Sequence, residues 1–249
     1  YIVLVVGHTC IIQCVLYESD WGVQAVISWV LSASFKNEEV NLIAEEDSNA
    51  LKGMDGIHML QRVVDTVNEC LNSCAIVGLN PPSHPLASVD VLKAINKGSL
   101  MGGPKGRYWV LDPVDGTLGF VRCDQYAVAL SLIEDGEVVL GVLGCPNLPM
   151  RKEWLRYHHK YYRFLSNLSA PLRANVWDKG CVFMAQRGKG SWMQPLIWNV
   201  SNPEMMKLVR RVSVSSIEDP SEATFCEPVE KANSSQSITA GLASSIGLK

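Results

Sequence analysis

Apolar residues recur at positions 22, 26, 29, 30 and 33, a helical period, and Asp20 stands just ahead of them where an N-cap belongs. A helix is therefore predicted from Trp21 onward. The short apolar run Val40 to Ala44 reads as a strand. Gly56 to Cys74 keeps an amphipathic helical period, Asn80 to Pro85 is a proline-rich loop, and Val89 to Lys97 is a short helix with Gly98 at the C′ position. Arg107 to Leu111 returns to strand character. Tyr126 to Ile133 and Val138 to Gly144 are two further strands, joined by Glu134-Asp135-Gly136-Glu137, a hairpin signal. Cys181 to Gln186 and Ser191 to Gln194 form another pair around Gly188-Lys189-Gly190.

Residues 150–179 and 197–211 break this order. Both are basic and aromatic without a period, and they read as surface insertions. Basic residues interleaved with aromatics can also bind nucleic acid, which is the lesser reading. Residues 1–16 are mostly apolar, with Ile2 to Val6 strand-like, but they are too short to span a membrane and carry no basic n-region. The stretch reads as a buried strand or a non-native leader, and residues 1–19 are assigned as a leader. The expected organisation is a metal-binding α+β domain over residues 20–211. Residues 212–249, strand-like at Ser213 and helical over Ser237 to Ile246, are the start of a truncated second domain.

The chain has 249 residues, enough for one large domain or two small ones, and its 47% hydrophobic and 19% charged content is that of a globular protein. A formal net charge of -3 gives no reason to expect nucleic acid as a partner. Neither nucleic acid nor membrane is expected as a partner, and a monomer is expected. The eight cysteines include no CxxC pair, which reads as buried reduced thiols in an intracellular, reducing compartment rather than a zinc site. Cys70 and Cys74, one helical turn apart, read as core.

Candidate chemistry lies in two acidic clusters, each following a predicted strand: Ala44-Glu45-Glu46-Asp47 and Leu111-Asp112-Pro113-Val114-Asp115-Gly116-Thr117. Crowded carboxylates repel unless protonated or bound to a cation. Oxygen donors with no His or Cys beside them favour Mg²⁺ over Zn²⁺. Asp112 and Asp115, three apart in a turn stiffened by Pro113, are expected on one side of a helical turn, with the Val114 carbonyl as a further oxygen. Gly116 permits close backbone approach, and its N–H with that of Thr117 can hold a phosphate oxygen. Of Glu45 and Glu46, alternation points one to the metal and leaves the other to support it. Asp20 and Thr117 can each be simple helix caps. Spacing excludes the DxDGT motif of haloacid-dehalogenase phosphatases, and an EF-hand fails because its positions 3 and 5 would be Val114 and Gly116. Gly102-Gly103-Pro104-Lys105 lacks the Ser or Thr of a P-loop.

In their order along the chain, these residues resemble the lithium-sensitive, magnesium-dependent phosphomonoesterases, and more closely the 3′(2′),5′-bisphosphate nucleotidases of plants. The segments that carry the resemblance are DWGVQAVISWVL, LIAEEDS, VLKAINKG, GGPKGRYWVLDPVDGTLGF, DQYAVAL, VVLGVLGCPNLP and SSIEDPSEATFCE. The resemblance implies a layered α/β sugar-phosphatase fold, with a mostly antiparallel sheet packed by helices. It implies Glu45, Asp112, the Val114 carbonyl and Asp115 as Mg²⁺ ligands, Asp20 and Thr117 as the pair that activates water, Gly116 and Thr117 as the phosphate cradle, and Glu46 in support. The implied reaction removes the 3′-phosphate of adenosine 3′,5′-bisphosphate to give AMP and phosphate. An inositol-phosphate phosphatase on the same site is one alternative. A non-catalytic remnant, or a mispredicted gene product, is another. Leu118 stands where the family has Lys and Cys123 where it commonly has Gly. The family's Trp-Asp-x-Ala-Ala-Gly motif does not occur, and Trp177-Asp178-Lys179-Gly180 is read as coincidence. The chain as given is therefore expected to be weakly active or inactive.

Overall fold

The computed structural model describes residues 19–36, 38–122, 124–148, 180–196, 208–224, 226 and 235–247. The readings made for residues 1–18, 149–179 and 197–207 fall outside these. Two compact units are present, Tyr1–Val212 and Ser213–Lys249.

The first unit is one sheet with helices. Helix α1 (Ser19–Ser34) lies against α2 (Ile57–Asn72), α3 (Ser88–Asn96) and the strand β2 (Arg107–Asp115). Because α1 is enclosed by these elements, residues 22–28, 30 and 31 are all buried, the pattern of a central rather than a surface helix. Ile27 and Leu31 from α1, Leu71 from α2 and Ile95 from α3 are fully buried, each worth about 1.5–3 kcal/mol of hydrophobic stabilisation. They meet Trp109, Leu111, Val128, Leu130 and Leu132, which alternate along one face of the sheet.

Among the described residues, seven strands lie in chain order: β1 (Leu42–Ala44), β2, β3 (Ala127–Glu134), β4 (Glu137–Cys145), β5 (Cys181–Gln186), β6 (Gly190–Pro195) and β7 (Arg210–Val212). β1 and β2 are parallel and every later neighbour is antiparallel. The β3–β4 turn has both central residues left-handed, Asp135 at φ 49° and Gly136 at φ 85°, the two-residue turn whose twist suits a hairpin. The expected layered α/β architecture is the one observed. Among the described residues, no helix is long and apolar enough to cross a membrane.

Several expectations are corrected. Helix α1 already includes Ser19, so Asp20 sits in its first turn rather than capping it. Gly98 is not left-handed; it is required by closeness, since a Cβ there would lie 2.7 Å from both the Ala44 Cβ and the Gln24 Nε2. The strand placed at Ser213 lies just before it, at Arg210–Val212, so the stretch read as an insertion over 197–211 ends within the sheet. Cys70, read as a reduced thiol, is disulfide-bonded, while Cys145, Cys181 and Cys226 are free.

In the second unit, Asp219 caps the turn Pro220–Glu222 by accepting the Ser221 N–H at 2.8 Å, which holds its carboxyl below the ordinary value. Helix α5 (Gln236–Ser245) follows.

Candidate active site

The helical turn expected at Asp112–Asp115 is a strand. β2 runs through Asp115, and Asp112 lies opposite Ala129 while Asp115 lies opposite Ala127. Three steps on β2 thus match two on β3, which is a β-bulge. In a regular strand, residues three apart face opposite sides. The extra residue cancels that alternation and returns both carboxylates to one side, so a different backbone produces the geometry that a helical turn was expected to give. Pro113 and Val114, the residues of the bulge, are buried.

The chain then turns sharply. Gly116 adopts φ 91° and ψ 47° at the N-cap of α4 (Thr117–Val121), a conformation that suits glycine. Thr117 is therefore not the cap; it opens the helix, and its Oγ1 donates to the Val114 carbonyl at 3.3 Å.

The second acidic cluster follows β1, whose Ala44 pairs with Leu111 one residue before Asp112. Here side chains of the helices hold the backbone. Trp21 Nε1 donates to the Asp47 carbonyl at 2.7 Å, and Ser48 Oγ donates to Asn96 Oδ1 at 2.7 Å. Gln24, fully buried, donates to the Glu46 carbonyl at 2.8 Å and accepts the Glu46 N–H at 3.1 Å. No reading of the sequence had singled out Gln24. Its signal was a long polar side chain inside the apolar run Trp21 to Leu31.

The two clusters and Asp20 share one electrostatic environment. The Glu46 carboxyl is raised above its ordinary value, first by burial and then by Asp20, Glu45, Asp47 and Asp112. Asp112 is raised first by burial and then by Glu45 and Asp115, with Asp20 adding; a hydrogen bond from the Val114 N–H opposes this. Asp112 Oδ1 is buried without a hydrogen-bond partner, a costly arrangement for a charged group. Asp112 also stands at the edge of a hollow of about 590 Å³ on the sheet face away from the helices, lined by Val110, Ala129, Leu143 and Phe183.

Among the described residues, no three His, Cys, Asp or Glu side chains are drawn together as a finished ligand cage. The donor set nonetheless fits a hard divalent cation: it is all oxygen, burial and neighbouring carboxylates raise Glu46 and Asp112 within it, and it includes an orphaned buried carboxylate oxygen. The structure thus brings Asp20, Glu45, Glu46, Asp112 and Asp115 into one neighbourhood. Val114, Gly116 and Thr117 lie along the exit from β2 beside them.

Residues 15–248 match the sequence pattern of the inositol monophosphatase family. The 3′,5′-bisphosphate nucleotidase AHL of Arabidopsis thaliana is 50% identical over 232 residues, covering 93% of this chain and 60% of that protein. Arabidopsis 3′(2′),5′-bisphosphate nucleotidase 1 is 40% identical over 231 residues, covering 93% and 59%. The chain therefore spans about three-fifths of the length of these curated relatives. CysQ from Bacteroides thetaiotaomicron, a bacterial member of the inositol monophosphatase family, aligns with a TM-score of 0.31 at 14% identity over 84% of this chain and 58% of its own. The family is in general metal-dependent. On the strength of the sequence match, the chain belongs to the inositol monophosphatase family.

Proposed function

We propose that this chain carries the Mg²⁺-dependent phosphomonoesterase site of a 3′(2′),5′-bisphosphate nucleotidase, which removes the 3′-phosphate of adenosine 3′,5′-bisphosphate to give AMP and phosphate. The observation that carries the reading is the orphaned Asp112 Oδ1 within a neighbourhood of carboxylates. The substrate class follows from the relatives' names.

In this reading Glu45, Asp112, the Val114 carbonyl and Asp115 hold the cation, and Glu46 supports Glu45 from behind. Bound Mg²⁺ supplies Lewis-acid polarisation of the phosphoryl group and eases loss of a water proton. The chain's own residues do the rest. Gly116 and Thr117 present backbone N–H groups to the phosphate oxygens at the start of α4. The Asp20 carboxylate, with Thr117 Oγ1, receives the proton of the attacking water as its oxygen bonds to phosphorus. The bond from phosphorus to the ribose 3′-oxygen breaks, and that oxygen takes up a proton from solvent water and leaves as the 3′-hydroxyl of AMP. Since the phosphoryl group needs no covalent help, positioning and charge supply most of the effect.

The test is phosphate release from adenosine 3′,5′-bisphosphate and from inositol 1-phosphate, with Mg²⁺ and with a chelator. Mg²⁺-dependent release that prefers the nucleotide and is lost in Asp112→Asn supports the reading. Preference for the inositol phosphate would replace the substrate, and release indifferent to both chelator and Asp112→Asn would remove the site.

A further inference from the structure

We propose that Gln24 is a positioning residue for the cation site: a neutral clamp that holds the Glu45–Asp47 turn in place against its own charge. This rests on the cation-site reading above and adds a residue to it that touches neither cation nor substrate.

Gln24 lies on α1 one turn beyond Asp20 and is fully buried. Its amide closes both backbone groups of Glu46, donating through Nε2 to the carbonyl at 2.8 Å and accepting the N–H at Oε1 at 3.1 Å. β1 ends at Ala44. Beyond that point the side-chain amide of Gln24 bonds to Glu46 as a neighbouring strand would, and so fixes its peptide planes. With those planes fixed, the directions in which Glu45 and Glu46 leave the backbone are fixed too.

A second bond anchors the clamp itself. Nε2 also donates to the Ile95 carbonyl at 2.8 Å, near the end of α3. Gly98 packs beside the amide, and a Cβ there would come within 2.7 Å of Nε2. The helix that carries Asp20, the turn that carries Glu45 and Glu46, and the end of α3 are joined through one side chain.

The residue type follows from the charge around it. Glu46 is surrounded by Asp20, Glu45, Asp47 and Asp112, and their repulsion pushes the turn outward. A clamp must both donate and accept without adding charge. Glutamine does this; glutamate loses the two donated bonds and adds another anion. Groups that orient metal ligands from behind typically alter metal affinity by about 10–100-fold.

A comparison residue exists in the same chain. Asn68 on α2 bonds in the same pattern, donating to the Val64 and Leu86 carbonyls at 3.0 Å and accepting the Leu86 N–H at 2.7 Å, but it serves a loop that carries none of the site residues. The experiment measures Mn²⁺ affinity by titration calorimetry, alongside melting temperature in chelator, for the full chain and for Gln24→Met, Gln24→Glu, Asn68→Leu and Asp112→Asn. The expected result is that Gln24→Met weakens Mn²⁺ binding by about tenfold or more. Asn68→Leu should lower the melting temperature and leave Mn²⁺ affinity unchanged. Should Gln24→Met fail to fold, Gln24→Glu, which keeps one acceptor, carries the same expectation. Wild-type affinity in the Gln24 variants, with affinity lost in Asp112→Asn, would overturn the clamp and leave the site standing. Unchanged affinity in Asp112→Asn would overturn the site, and the clamp with it.

Discussion

The two acidic clusters sit at the ends of neighbouring parallel strands, yet they are built in opposite ways. At the end of β2, pairing with β3 and one bulge orient Asp112 and Asp115, so the sheet's own ladder does the positioning. At the end of β1 the ladder has stopped, and Trp21, Gln24 and Asn96 hold the chain from outside it. A backbone-built arm resists side-chain substitution elsewhere. A side-chain-built arm depends on residues far away in sequence.

The sharpest test of this contrast compares ligands across the two arms. Asp112, partly buried with an orphaned oxygen, should matter more than the exposed Glu45. Asp112→Asn is expected to reduce phosphate release by about 10²–10³-fold, the cost of one lost transition-state contact, and Glu45→Gln by about tenfold. Equal losses in kcat/KM would erase the distinction between the arms.

Next in size are two glycines, one behind each arm. A Cβ at Gly119 would come within 2.0 Å of the Gln125 carbonyl oxygen, which is backbone. At Gly98 it would meet a side-chain amide and a methyl at 2.7 Å. Gly119→Ala should therefore destabilise by about 3 kcal/mol and Gly98→Ala by about 1–2 kcal/mol. Denaturant midpoints would show the order, and a larger loss at Gly98 would mean that the side-chain arm is the stiffer one.

A smaller effect concerns charge. The raised Asp112 and Glu46 carboxyls mean that the folded chain binds more protons than the unfolded one just above the ordinary carboxylate values. In chelator, stability should therefore rise as pH falls from neutral into that window, and at neutral pH Asp112→Asn should melt higher than wild type. Each kcal/mol relieved is worth about 2–4 °C at this size. A lower melting temperature for Asp112→Asn would show that its carboxylate is better satisfied than its surroundings indicate.

The smallest effect gives the β2 arm its own reporter. Burial, with Asp115 adding, pushes the Cys145 thiol up to about 11. In a Cys226→Ser background, Asp115→Asn should speed alkylation of Cys145 at mildly alkaline pH by raising its thiolate fraction, and Glu45→Gln should not. Mass spectrometry of the labelled peptide would decide between them.

The same contrast explains what could be read along the chain. Hairpins such as Asp135-Gly136 are local, so a few adjacent residues specify them. The one-sided placement of Asp112 and Asp115 was expected from a helical turn, because spacing alone does not distinguish a turn from a bulged strand. Gly98 was marked as a helix stop, although its requirement comes from Gln24 and Ala44, residues distant in sequence. Gln24 itself was passed over because its partners lie 22 and 71 residues away. Such pairings are set by how α1, α3 and β1 pack, and no local pattern records them.

The chain-order arrangement of the strands bears on the order of folding. β2, β3 and β4 are joined to one another by short connections, so they can zip together with little loop-closure entropy. β1 can join β2 only after everything from Glu45 to Gly106, including α2 and α3, has been closed into a loop. The meander is then the early-forming part, and β1 docks late. Glu45 and Glu46 would reach Asp112 in the last step, so slow amide exchange should appear in β3 before it appears in β1.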